Sequence, residues 1–140
     1  MLDLALHSSD GPVSVAEIAK RQELSPSYLE QLFSKLRRAE LVKSSRGPGG
    51  GFSIGRDIAQ VSVADIIDAV DERVDATSCS GKSDCNEGHT CLTHHLWNDL
   101  SERIHEFLTS VSLATLVERR EVQNVHFRQH AADDEQTLRI

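Results

Sequence analysis

No stretch of this sequence approaches the roughly 18 apolar residues that a membrane-spanning helix needs. The opening MLDLALHSSDG also lacks the basic start and small-residue cleavage site of a secretory signal. The expected setting is therefore the cytoplasm, with no membrane partner. Cysteine is scarce: the chain has 3, all between positions 79 and 91. Three thiols cannot all pair within one chain, and disulfides rarely persist in a reducing compartment, so metal ligation or thiol sensing suits them better than a staple. Buried apolar cysteines fit poorly among neighbours as polar as Ser, Gly, Lys, Asp and Asn. The 140 residues suit one small core with appendages. No internal repeat is present.

An excess of basic charge is also missing. The net charge of −7 speaks against a nucleic-acid partner until the chain is divided. Residues 1–60 carry 8 Lys/Arg against 7 Asp/Glu, whereas residues 61–140 carry 7 against 15. Within residues 20–46 the balance is 7 basic to 3 acidic, a net +4. Screening beyond roughly 10 Å lets such a local basic surface hold phosphate on an acidic protein.

The apolar pattern predicts a mainly α fold. MLDLALHSS reads as the end of an amphipathic helix whose beginning is absent, so the chain is expected to start inside an element, through truncation or a mis-assigned start. Ser14 to Glu17 spells a capping box for a helix ending near Arg21. Ser25-Pro26 is an N-cap with proline at the first helical position, and Leu29, Leu32, Phe33 and Leu36 recur on one face of the helix that follows. LVKSS and GFSI are two short strands joined by the glycine-rich RGPGG. Ser62 opens another helix, with Val63, Ile66, Ile67 and Val70 inward, closing the first domain near residue 72. Beyond the cysteine segment, Leu96, Leu100, Ile104, Leu108 and Val111 mark a helix of about 20 residues and 30 Å. Such a stripe is too long for a small core to cover and is expected to meet a second copy of itself. Ser112 caps a short helix, LATLVERR. Residues 121–140 have no sustained period and are expected to form a flexible tail. The expected divisions are 1–72, a winged helix-turn-helix domain with a two-stranded wing; 73–94, a metal-cluster loop; 95–120, the dimerisation helix and terminal helix; and 121–140.

Helix, turn, helix and glycine-turned hairpin in that order suggest a DNA reader. Gln31 suits adenine edges; Ser27 and Tyr28, near the helix start, suit phosphates or bases; Arg46 at the wing's root can reach a minor groove. Lys35 and Arg38 supply phosphate contacts, or with Arg37 an ordinary solvated face. Glu30 repels phosphate yet can accept from cytosine N4, which would set selectivity. The loop GPGGG is not a phosphate cradle, because strand-like FSI follows it instead of GK[ST] and a helix.

The thiols follow C-x(5)-C-x(5)-C-x(2)-H from Cys79 through Cys85 and Cys91 to His94. Gly81 and Gly88 let the loop fold so that these donors converge on a tetrahedral metal or on the two irons of a cluster. Zinc and an iron-sulfur cluster both stay open on spacing, with a bare thiol switch as a third reading. His89, His95 and His105 are candidate decoys. A catalytic Cys/His pair lacks an orienting third group, and nothing suggests an enzyme.

The segments SPSYLEQLFSKLRRAELV, SSRGPGGGF, AVDERVDAT and CLTHHLW, in this order and with this cysteine spacing, resemble the iron-sulfur regulators of a winged-helix family of bacterial transcription factors. The likeness runs to about residue 130, although the family begins before this chain does. It implies a homodimer with one [2Fe-2S] cluster per subunit, held by Cys79, Cys85, Cys91 and His94. It also implies a double-stranded operator contacted by Ser27, Tyr28, Glu30, Gln31 and Arg46, and a cluster supplied by iron-sulfur assembly machinery. The implied role is repression of the assembly operon in the cluster-loaded form and regulation of other promoters. A nitric-oxide or redox sensor of the same family is the alternative, which His94 disfavours, and a zinc-binding structural DNA-binding protein is another.

Overall fold

The computed structural model describes residues 1–138. Helix α1 (Leu2–Leu6) and a 3-10 turn (Ser8–Asp10) lead to α2, Val15–Gln22. The predicted capping box starts α2: Ser14 Oγ accepts the Glu17 N–H at 3.2 Å while the Glu17 carboxylate takes the Ser14 N–H at 2.8 Å. Without a glycine to end it, α2 places Glu23 itself in the left-handed region, at φ 54°. Helix α3 (Pro26–Arg38) then starts on Ser25, whose hydroxyl accepts the Tyr28 N–H. It buries Leu29, Phe33 and Leu36, each contributing about 1.5–3 kcal/mol of apolar burial.

Strands β1 (Val42–Ser45) and β2 (Gly51–Ile54) pair antiparallel, Val42 opposite Ile54 and Ser45 opposite Gly51. Val13 adds a third rung by exchanging two backbone hydrogen bonds with Phe52, at 2.9 and 2.8 Å. This requires Gly51: a Cβ there would lie 2.4 Å from the Val13 carbonyl oxygen. The wing's base is thereby fixed to the entry of α2, and its tip stays in solvent.

Helix α4 (Val63–Ala69) repeats the capping box with Ser62 and Asp65. It ends before the expected residue 72 because Asp71 turns left-handed, at φ 59°. Helix α5 covers His94–Ser110 and starts two residues after the expected Leu92. Ser112 caps α6 (Leu113–Glu118) as expected, accepting from the Thr115 N–H.

Two features differ from expectation. The first is that α6 is no appendage of the dimerisation segment. Leu113 N–H bonds Val61 O at 2.8 Å and Val63 N–H bonds Val111 O at 2.9 Å. These bonds return the chain to the first domain, where Leu113 joins the core of Leu4, Phe33, Val42 and Val61.

The second is the tail. Residues Arg120–Leu138 form helix α7 instead of a flexible tail; positions 139–140 of that expectation lie outside the described residues. Polar anchors hold it where an apolar stripe is lacking. Gln22 Nε2 donates to Gln129 Oε1 at 3.2 Å, Gln129 Nε2 to Arg21 O at 3.3 Å, and Gln123 Nε2 to Val117 O at 2.6 Å. Hydropathy periodicity does not register such contacts.

Candidate metal centre and nucleic-acid interface

The cysteine segment is folded by backbone geometry. Its root is anchored to α5: Ala76 N–H donates to Ser101 Oγ at 2.7 Å, and Ser101 Oγ donates to Asp75. Ser80, Gly81, Ser83, Glu87 and Gly88 all have positive φ, so the chain repeatedly turns back on itself. Asn86 and His89 exchange two backbone hydrogen bonds at 2.8 Å around the Glu87-Gly88 turn, a minimal hairpin. That hairpin brings Cys91 back beside Cys85, whose sulfur accepts the Cys91 N–H at 3.2 Å.

His94, the first residue of α5, is 5% exposed and faces this loop. Its Nδ1 lies 3.4 Å from Cys79 Sγ and 3.6 Å from Cys85 Sγ, while Nε2 meets Ser83 Oγ at 3.1 Å. The donor atoms of Cys79, Cys85 and His94 all lie within 4.8 Å of one another. Cys91 joins through Cys85, the two thiols being hydrogen-bonded. Burial works to raise the Cys79 pKa, but N–H groups of Ser83 and Gly81 aimed at its sulfur bring it below the ordinary thiol value. The hydrogen bond between Cys85 and Cys91 raises the former and lowers the latter. Three half-buried sulfurs and one imidazole supply the donors that a thiophilic metal or a binuclear iron centre needs, so the residues fit either group. His89 and His95 are exposed, and His105 pairs with Asp68 at 3.3 Å, so none of the three joins the group.

On α3, Ser27, Tyr28, Glu30, Gln31 and Arg38 are exposed, and Arg46 is exposed at the wing's root. Lys35 is placed differently. It donates to Val70 O at 3.1 Å and lies 3.6 Å from Asp71, bracing α3 against the end of α4. Tyr28 OH donates to Glu72 at 2.9 Å.

The iron-dependent transcriptional regulator model named Rrf2 matches residues 1–119. The chain belongs to the Rrf2 family. It is 60% identical over 129 residues to the HTH-type transcriptional regulator IscR of Xenorhabdus nematophila, covering 92% of this chain and 79% of that one. It is 59% identical over 125 residues to a putative HTH-type transcriptional regulator, ORF2, of Azotobacter vinelandii, covering 89% and 76% respectively. The solved structure of T. potens IscR superposes with a TM-score of 0.65 at 37% identity, over 84% of this chain and 77% of that one. CymR, the global cysteine regulator of B. subtilis, superposes at 0.66 and 33% identity, over 83% and 85%.

The chain is thus a winged-helix transcriptional regulator, and the reading of its fold and class from sequence holds. In this Rrf2 member, sequence reasoning missed Ser83, Glu72 and Asp71. Ser83 orients the imidazole of His94, and Glu72 and Asp71 engage the recognition helix. Their contacts join positions far apart in sequence, and only the left-handed turns implied by Gly81 and Gly88 hint at the first.

Proposed function

We propose that this Rrf2 regulator senses an iron-sulfur cluster, binding one [2Fe-2S] group per subunit through Cys79, Cys85, Cys91 and His94. The observation that carries this is the convergence of Cys79, Cys85 and His94 donor atoms within 4.8 Å, with Cys91 hydrogen-bonded to Cys85. When bound, such a group supplies redox chemistry and a charge that depends on its occupancy and state. The chain's part is to hold four donors. Ser83 fixes the ring of His94 through Nε2, leaving Nδ1 toward the sulfurs. One imidazole among three thiolates is a ligand that protons can displace, so the group should be lost more easily than from four cysteines. The surrounding loop is largely exposed, which suits delivery by iron-sulfur assembly machinery.

DNA is read by the exposed Ser27, Tyr28, Glu30 and Gln31 of α3, with Arg38 and Arg46 on phosphate or groove edges. Lys35 contributes by holding α3 in place. Two copies join through α5, whose Leu96, Leu100 and Phe107 side chains are exposed. The cluster-loaded dimer represses the assembly operon and regulates further promoters. The IscR names of relatives at 56–60% identity support this reading.

Oxygen-free purification tests it. The expected protein is coloured, with about two irons and two sulfides per chain, and its footprint changes when the cluster is removed. Colourless protein carrying zinc, with no sulfide after reconstitution, overturns the sensing role and leaves a structural-metal DNA binder.

A further inference from the structure

Helix α7 carries His126 and His130, four residues apart and so on one face, an arrangement suited to binding one metal ion. His7, at the end of α1, faces both. Its ring centre lies 4.9 Å from that of His126 and 6.2 Å from that of His130, and the two α7 rings are 6.0 Å apart. We propose that His7, His126 and His130, with Asp133 one turn further along α7, form a second metal site that takes a divalent transition cation such as zinc or cobalt and fastens α7 to the DNA-binding domain. This site is separate from the cysteine loop and does not depend on it.

Three observations carry the proposal. His7 is 8% exposed and its Nδ1 is 2.8 Å from the Asp3 carbonyl oxygen. A carbonyl can only accept, so Nδ1 holds the proton and the neutral ring presents a lone pair at Nε2, the tautomer of a ligating histidine with an outer-shell partner. His130 is arranged in the same sense, with Nδ1 3.7 Å from Asp134. Finally, His126 Nδ1 is buried with no hydrogen-bond partner among the described residues.

The charge around the trio favours a cation. A cavity of about 250 Å³ beside it is lined by His7, Asp10, Glu17, Arg21, His130 and Asp133. Arg21 is neutralised by Asp3, which it grips through two nitrogens at 2.7 and 3.1 Å. Lys20 approaches Asp133 at 3.7 Å but is mostly exposed and free to yield. An ion about 2.0–2.1 Å from each ligating nitrogen sets ring centres about 5 Å apart. His7 and His126 already stand at that separation. His130, with 53% of its side chain exposed, needs to rotate inward by about 1 Å to join them.

The test is a cobalt(II) titration of the full chain carrying C79S, C85S and C91S, which removes the thiol donors. The expected result is a single bound cobalt with ligand-field absorption and no sulfur-to-metal charge transfer. Affinity should fall roughly tenfold or more in H126N and in H130N. Zinc should displace the cobalt and raise the Tm of the cysteine-free chain but leave that of its H130N form unchanged. His130 is exposed, so H130N is expected to keep the metal-free Tm and circular dichroism. No cobalt uptake by the cysteine-free chain, or unaltered affinity in both histidine variants, overturns the second site.

Discussion

The hydroxyl of Tyr28 donates to the Glu72 carboxylate across 2.9 Å, joining the first turn of α3 to the segment that leads into the cysteine loop. This hydrogen bond raises the Tyr28 pKa, so the phenol stays a donor. A phosphate approaching Tyr28 would compete with Glu72 for that donor and meet its negative charge. Glu72→Gln keeps an acceptor but removes the charge. The variant should bind duplex DNA a few-fold more tightly at low salt, with the gain fading as salt screens it. Fluorescence anisotropy across a salt series measures this, and identical curves for both proteins would show that Glu72 does not face the DNA.

Asp3 links the chain's first turn to α2. It is 8% exposed, and its carboxylate accepts from Arg21 at 2.7 and 3.1 Å and from Gln22 at 2.8 Å. Burial alone would raise its pKa, but the Arg21 and Gln22 hydrogen bonds outweigh that and hold it below the usual carboxylate range. A folded-state pKa below the unfolded value of about 3.9 contributes stability that is fully present above about pH 4. That stability is lost as pH falls through the depressed folded value. Asp3→Asn, which leaves Arg21 half-buried without its counter-charge, should cost about 3–5 kcal/mol at neutral pH. Its denaturation midpoint should also change less than the parent's between pH 5 and pH 2.

Much of the DNA-binding half was legible because its signals are local. Ser14 and Glu17 are three residues apart, Ser25 precedes Pro26, and the glycines of RGPGG announce the wing. The cysteine spacing likewise named its donors, because a loop with two glycines can close only over a short distance. Helix α7 was missed because amides and imidazoles hold it, and these leave no apolar period. Lys35 looked like part of a basic face. Its attachment to Val70 O spans 35 positions, and no sequence pattern encodes that distance.

Ser83 tests how far the imidazole depends on its outer partner. Its hydroxyl lies 3.1 Å from His94 Nε2, and it contributes no donor atom to the group itself. Ser83→Ala should leave the fold unchanged, because Ser83 is exposed. Loss of the hydroxyl frees the ring to turn away from Cys79 and Cys85, so metal or cluster retention should fall roughly tenfold. Competition with a chelator, read by absorbance, measures it. His94→Ala should lose more, and equal retention in Ser83→Ala and parent would show that packing alone orients the ring.

The exposed face of α5 sets the last expectation. Leu96 and Phe107 are each 61% exposed, with Leu100 between them on the same side, while Ile104 and Leu108 turn toward α4 and are half-buried. A helix that is apolar on two sides needs two partners, and α4 supplies one. Leu100→Asp places a charge at the centre of the second side. If two α5 helices cover each other there, the charge must be buried unpaired, at a cost of several kcal/mol that an interface of this size cannot absorb. Sedimentation should then show the parent as a dimer and Leu100→Asp as a folded monomer with unchanged helix content, because Leu100 lies outside the core. DNA affinity for a two-fold operator should fall with it, since each recognition helix would then bind alone.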